Sequence, residues 1–211
     1  MEESVFGAAE QLMAKQMAHY DCSHDMLHVR RVRKLAEKIG RTLNVDMAVV
    51  TLGAIFHDAV DHKYAATHGV AVEERVDEIV KLLSQYGLPA RQIDEVVRVM
   101  QNVGYSKEKK LRAATKWSDW HENSQEFHCV QDADRLDAMG AIGMMRCAAY
   151  SCVINQPLYS QSGSAYDHIE DKLLLLRDTL QTPVAQDLGE KRHQFLVQFK
   201  RQLELENEML S

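Results

Sequence analysis

Between residues 4 and 19, apolar side chains recur at Val5, Phe6, Ala9, Leu12, Met13 and Met17, the spacing of one face of a helix. The stretch YDCSHD interrupts the pattern, and Ser23 offers a hydroxyl to cap a second helix through HDMLHVRRVRKLAEKIG. Gly40 supplies the usual stop for that helix. From Val45 to about Lys63 the chain reads as a third helix, so apolar in MAVVTLGAIF that it belongs at the centre of the fold. Amphipathic helices are expected over roughly 68–86 and 89–102, with Gly87 closing the first and Pro89 opening the second.

Periodicity then lapses. Residues 103–125, VGYSKEKKLRAATKWSDWHENSQ, read as a polar, irregular surface excursion. An apolar helix is expected over about 133–153, then a second excursion over 154–165 containing Pro157 and Gly163. Helices over roughly 166–180 and 183–208 complete the chain, the last opening at Pro183. Period-two runs flanked by turn dipeptides are missing, so the pattern points to an all-α fold. No repeat, low-complexity tract or linker divides the chain, and a single domain over 1–211 is expected.

Composition narrows the function classes. With three prolines in 211 residues, 45% hydrophobic and 27% charged, the chain is that of an ordinary helical globular protein. A formal charge of -6 argues against broad nucleic-acid binding, which needs a basic surface. It leaves room for a small anionic substrate, because charge inside a pocket is local. No apolar run of about 18 residues suggests a membrane span, and the acidic start MEESVFGAAEQLMAKQM lacks a signal-type block. The four cysteines show neither CxxC spacing nor a disulfide framework, which suits a reducing, cytoplasmic setting. The apolar helices leave room for a homodimer.

Chemistry is concentrated at AIFHDAVDHKY, where two histidines and two aspartates follow an apolar run. His57 and Asp58 diverge by about 100° on a helix, so they can approach one ion from two sides. A hard or borderline divalent cation accepts imidazole nitrogen together with carboxylate oxygen. Further donors are available in SHDMLHVRRV, where His24 and His28 are four apart on one face. VQDADRLDAMGAIG adds Asp132, Asp134 and Asp137 at the expected start of an apolar helix. Each cluster alone has a simpler reading: Asp132 as a helix N-cap, His24 as a local hydrogen-bonding group.

Taken in order, His28, His57-Asp58 and Asp134 resemble the H…HD…D signature of the HD-domain metal-dependent phosphohydrolase superfamily. HDMLHVRRV, FHDAVDHKY, VQDADRLDAMGAIGMMR, DHIEDKLLLLRDTLQT and KRHQF are similar to one bacterial-type subfamily of uncharacterised HD hydrolases. Some members of that subfamily act as nucleotide pyrophosphohydrolases. The likeness covers about residues 20–205 and implies an all-α bundle holding a metal between central helices.

Carried over by motif, the resemblance makes His28, His57, Asp58 and Asp134 the metal ligands. Asp134 is preferred to Asp132 because Ala133-Asp134-Arg135-Leu136 fits the superfamily's A-D-x-L context. Four protein ligands leave about two octahedral positions, which suits one Mn²⁺ or Mg²⁺, with Co²⁺, Ni²⁺ or Zn²⁺ as alternatives. Asp61, about one turn past Asp58, is the implied catalytic carboxylate that orients water or handles its proton. Lys63, His168 and Lys172 are candidate phosphate contacts; the last two read equally well as a solvated, salt-bridged face. Arg31 and Arg135 are expected to hold Asp25 and Asp137. Trp117 and Trp120 could stack on a base or simply anchor their loop.

The implied activity is hydrolysis of small nucleotides by metal-activated water, above all nucleoside triphosphates to monophosphate and pyrophosphate. A 5'-nucleotidase or phosphodiesterase using the same site is the alternative enzyme, and a non-catalytic nucleotide-binding regulator the alternative of another class.

Overall fold

The computed structural model describes residues 4–60 and 71–208, and the described residues form helices and connecting turns with no strand. They fall into two compact units, Met1–Tyr20 with Asp25–Ala133, and Asp21–His24 with Asp134–Ser211.

The first unit is built around helix α3 (Met47–Phe56), which packs against α1 (Val5–Gln16), α2 (Met26–Gly40) and α5 (Ala90–Asn102). Every residue of α3 from Val49 to Phe56 is buried, as its unbroken apolar run requires. Each fully buried Leu, Ile or Phe here contributes about 1.5–3 kcal/mol. Asp46 starts the helix by accepting from the amides of Ala48 and Val49 at 3.0 and 3.3 Å. Helix α2 turns Val29, Val32, Ala36 and Ile39 inward and is capped by Asp25, which accepts from the His28 amide at 2.9 Å. Ser23 is therefore not the cap: its amide donates to the Asp21 carboxylate instead, at 2.8 Å.

Three further boundaries differ from the periodicity. Helix α4 is described over Val72–Gln85, and positions 68–70 of the expected element lie outside the described residues. The polar stretch 103–125 contains two short helices, α6 (Tyr105–Ala113) and α7 (Asp119–Asn123). Charged residues dominate α6, so it shows no apolar stripe, and an Arg112–Glu108 pair at 2.7 Å supports it. The expected helix over 133–153 is two helices, α8 (Gln125–Asp137) and α9 (Gly140–Val153). Between them Met139 is extended, and Gly140 takes a φ of +71°, which a side-chain-bearing residue adopts only at a cost. The apolar pattern runs on through this break because Leu136, Met139 and Met144 are buried on either side.

In the second unit α9 packs against α10 (Ala165–Asp171) and α11 (Pro183–Glu208), and a 3-10 segment, Leu173–Thr179, packs on α10 and α11. Among the described residues no helix is long and apolar enough to cross a membrane.

Candidate metal centre

Helix α3 ends at Phe56, the last residue of its apolar run, and residues 57–60 of the helix expected from Val45 to about Lys63 form turns instead. His57 is the C-cap, and a turn closed by the Ala59 amide on the Phe56 carbonyl (2.9 Å) carries His57 and Asp58 past the helix end. The pair therefore sits on a turn rather than on a helix face. Phe56, fully buried, pins that turn to the core.

The His57 ring is buried, and its Nδ1–H donates to the Ala54 carbonyl at 2.8 Å. That bond fixes the tautomer, so a neutral His57 presents the lone pair of Nε2. His28, buried on α2, brings its own Nε2 to 3.0 Å from that of His57. The Asp58 carboxylate completes a triangle, with Oδ2 at 3.3 Å from His28 Nε2 and 3.4 Å from His57 Nε2.

The dimensions of this triangle test the fit of an ion. Donor atoms about 2.0–2.2 Å from one cation, at octahedral or tetrahedral angles, lie about 2.8–3.6 Å apart. All three edges fall within that window. Asp58 Oδ2 is buried and lacks an aligned hydrogen-bond donor, an arrangement that is costly for a carboxylate unless a cation meets it. Burial pushes the Asp58 carboxyl up, but His57 and His28 in their protonated form outweigh it and hold the group well below the usual carboxylate range, as a cation between them would. Two imidazoles and a carboxylate are a donor set for a divalent metal, and the residues present fit one.

The other sequence candidates are placed as follows. Asp134 is half-buried in the last turn of α8 and is counted in the second compact unit, whereas His28, His57 and Asp58 are counted in the first. Asp132 is fully buried inside α8 and is not an N-cap; that helix begins near Ser124, whose Oγ accepts from the Phe127 amide at 3.2 Å. Asp137 is met by Arg146 at 3.4 Å, while Arg135 donates to the Thr179 carbonyl. His168 is exposed on α10, and Lys172 is the half-buried residue at its end. Asp61 and Lys63 lie outside the described residues.

Trp117 and Trp120 serve the core. Trp117 stacks on the buried His121 ring with centroids 4.3 Å apart, and Trp120 Nε1 donates to Glu95 at 2.7 Å. Sequence reasoning also passed over Arg75, buried on α4 and bonded to the carbonyl of Ala59, directly after Asp58. The available signal was an arginine in helical register with Ile79 and Leu83, on the apolar stripe of an amphipathic helix.

The family model described as HD domain matches residues 26–139. The uncharacterised protein YpgQ of Bacillus subtilis is 36% identical over 181 residues, covering 86% of this chain and 83% of its own. The crystal structure of YpgQ in complex with ADP superposes with a TM-score of 0.75 at 33% identity, covering 94% of this chain and 97% of that one. An HD-superfamily hydrolase from Bacillus thuringiensis, 24% identical, shares the fold with a TM-score of 0.72 over 96% of each chain. With its HD turn, its helical fold and these relatives, the chain belongs to the HD-domain family.

Proposed function

We propose that this protein is a divalent-metal-dependent phosphohydrolase of small nucleotides, converting nucleoside triphosphates to monophosphate and pyrophosphate. The observation that carries the reading is the convergence of His28 Nε2, His57 Nε2 and Asp58 Oδ2 within 3.0–3.4 Å of one another. The crystallisation of the relative YpgQ with ADP supports a nucleotide as the ligand.

In this reading one ion, Mn²⁺ or Mg²⁺, is held by His28, His57 and Asp58, with Asp134 as the fourth ligand on the strength of its A-D-x-L context. Such an ion supplies Lewis-acid chemistry, polarising a phosphoryl oxygen and lowering the pKa of water. The chain supplies the geometry. Ala54 holds the His57 ring through Nδ1, Phe56 anchors the turn, and the Asp25 cap sets the first turn of α2 from which His28 projects. Asp61 is assigned the carboxylate that orients water and takes its proton. Lys63, His168 and Lys172 are assigned phosphate contacts, as point charges or hydrogen-bond donors.

The test is a nucleotide panel incubated with metal-stripped protein, to which Mn²⁺, Mg²⁺, Co²⁺ or Zn²⁺ is restored, with products resolved by chromatography. Monophosphate and pyrophosphate from a triphosphate, in the presence of Mn²⁺ and not in its absence, is the expected result. Diphosphate and orthophosphate as products would replace the assigned bond, and no turnover with any metal would remove the enzyme.

A further inference from the structure

Arg75 is only 3% exposed, on a helix stripe shared with Ile79 and Leu83, where a permanent cation is out of place unless something negative meets it. Its Nη1 donates to the Tyr20 hydroxyl at 2.8 Å and to the Ala59 carbonyl at 3.3 Å, and both acceptors are neutral. No carboxylate among the described residues pairs with it, and its buried Nε has no hydrogen-bond acceptor.

Nη1 is engaged and Nε is not. Nη1 is the guanidinium nitrogen on the Cδ side, so its two bonds fix the plane of the group. They leave Nε–H without an acceptor, on the opposite edge beside Nη2, and that edge is the fork that meets two oxygens of a planar or tetrahedral anion. Ala59 follows Asp58 directly, so the fixed guanidinium lies against the turn that carries two of the three converging donors. A lysine at this position would offer a point charge without the fork.

We propose that Arg75 is a phosphate-binding residue of the metal centre, its Nε/Nη2 edge taking two oxygens of one phosphate of the bound nucleotide. Tyr20 and Ala59 hold the guanidinium in place for that contact. The location rests on the metal-centre reading above; the anion-binding role is a separate claim.

Binding of α,β-methylene-ADP to the Mn²⁺-loaded full chain, measured by calorimetry beside the Mn²⁺ affinity alone, tests the two apart. Arg75→Lys and Arg75→Gln should weaken the nucleotide analogue by about tenfold or more, the loss of a charge-assisted bidentate pair. Their Mn²⁺ affinity should match the wild type. Tyr20→Phe, which frees Nη1 of one anchor, should weaken the analogue less and serves where an Arg75 variant does not fold. Wild-type analogue affinity in the Arg75 variants, or in Tyr20→Phe when it stands alone, would overturn the proposal. So would a parallel loss of Mn²⁺ affinity, which would make Arg75 only a brace of the turn, or a wild type that does not bind the analogue. A wild type that binds the analogue yet hydrolyses no nucleotide would remove the enzymatic reading and leave the Arg75 site standing.

Discussion

His28, His57 and Asp58 were legible as letters because the atoms that converge are the ones their residue types carry. Spacing left open where the turn falls. His57 and Asp58 sit beyond the end of α3 because the Ala59 amide closes on Phe56, while Arg75, sixteen residues onward, takes the Ala59 carbonyl. A contact at that separation leaves no trace in local periodicity. The cysteines give a residue-scale prediction. Burial first, then the charges of Asp132 and Glu126, push the Cys129 thiol up to about 12. A raised thiol pKa favours the neutral form, so at pH 8 the thiolate fraction is about 10⁻⁴ and grows only as the pH approaches 12. Iodoacetamide at pH 8 should label the exposed Cys22 and Cys152 and spare Cys129 until the chain is denatured. Mass spectrometry showing Cys129 labelled at the rate of Cys22 would contradict this burial.

Some of the element boundaries were readable, α2 to Gly40, α5 after Pro89 and α11 from Pro183 among them. The break between α8 and α9 was not, because hydrophobic residues continue across it and only backbone geometry reveals the kink. Gly143 makes that geometry consequential. A Cβ at this position would run into the Ala138 carbonyl, a backbone atom that cannot swing aside. Inside a helix, glycine to alanine normally stabilises by about 1 kcal/mol. At Gly143 the sign should reverse, with a loss of about 1–3 kcal/mol from the overlap. Urea denaturation of Gly143→Ala reads this directly, and a variant more stable than wild type would show that the break relaxes without strain.

At the scale of the molecule, a chain of formal charge -6 is proposed to bind a polyanion through a local centre. His28 sits on α2 and His57 and Asp58 on the turn after α3, all within one unit, so an ion bound by all three favours the folded chain over the unfolded one. By mass action such an ion stabilises by about 2.7 kcal/mol at one hundred times its dissociation constant. Thermal denaturation of metal-stripped wild type and Asp58→Ala, across a Mn²⁺ titration, is therefore the most direct test of the metal centre. The wild-type Tm should climb with Mn²⁺ concentration while that of Asp58→Ala stays nearly flat. An equal rise in both proteins, or no rise in the wild type with any divalent ion, would contradict the assignment.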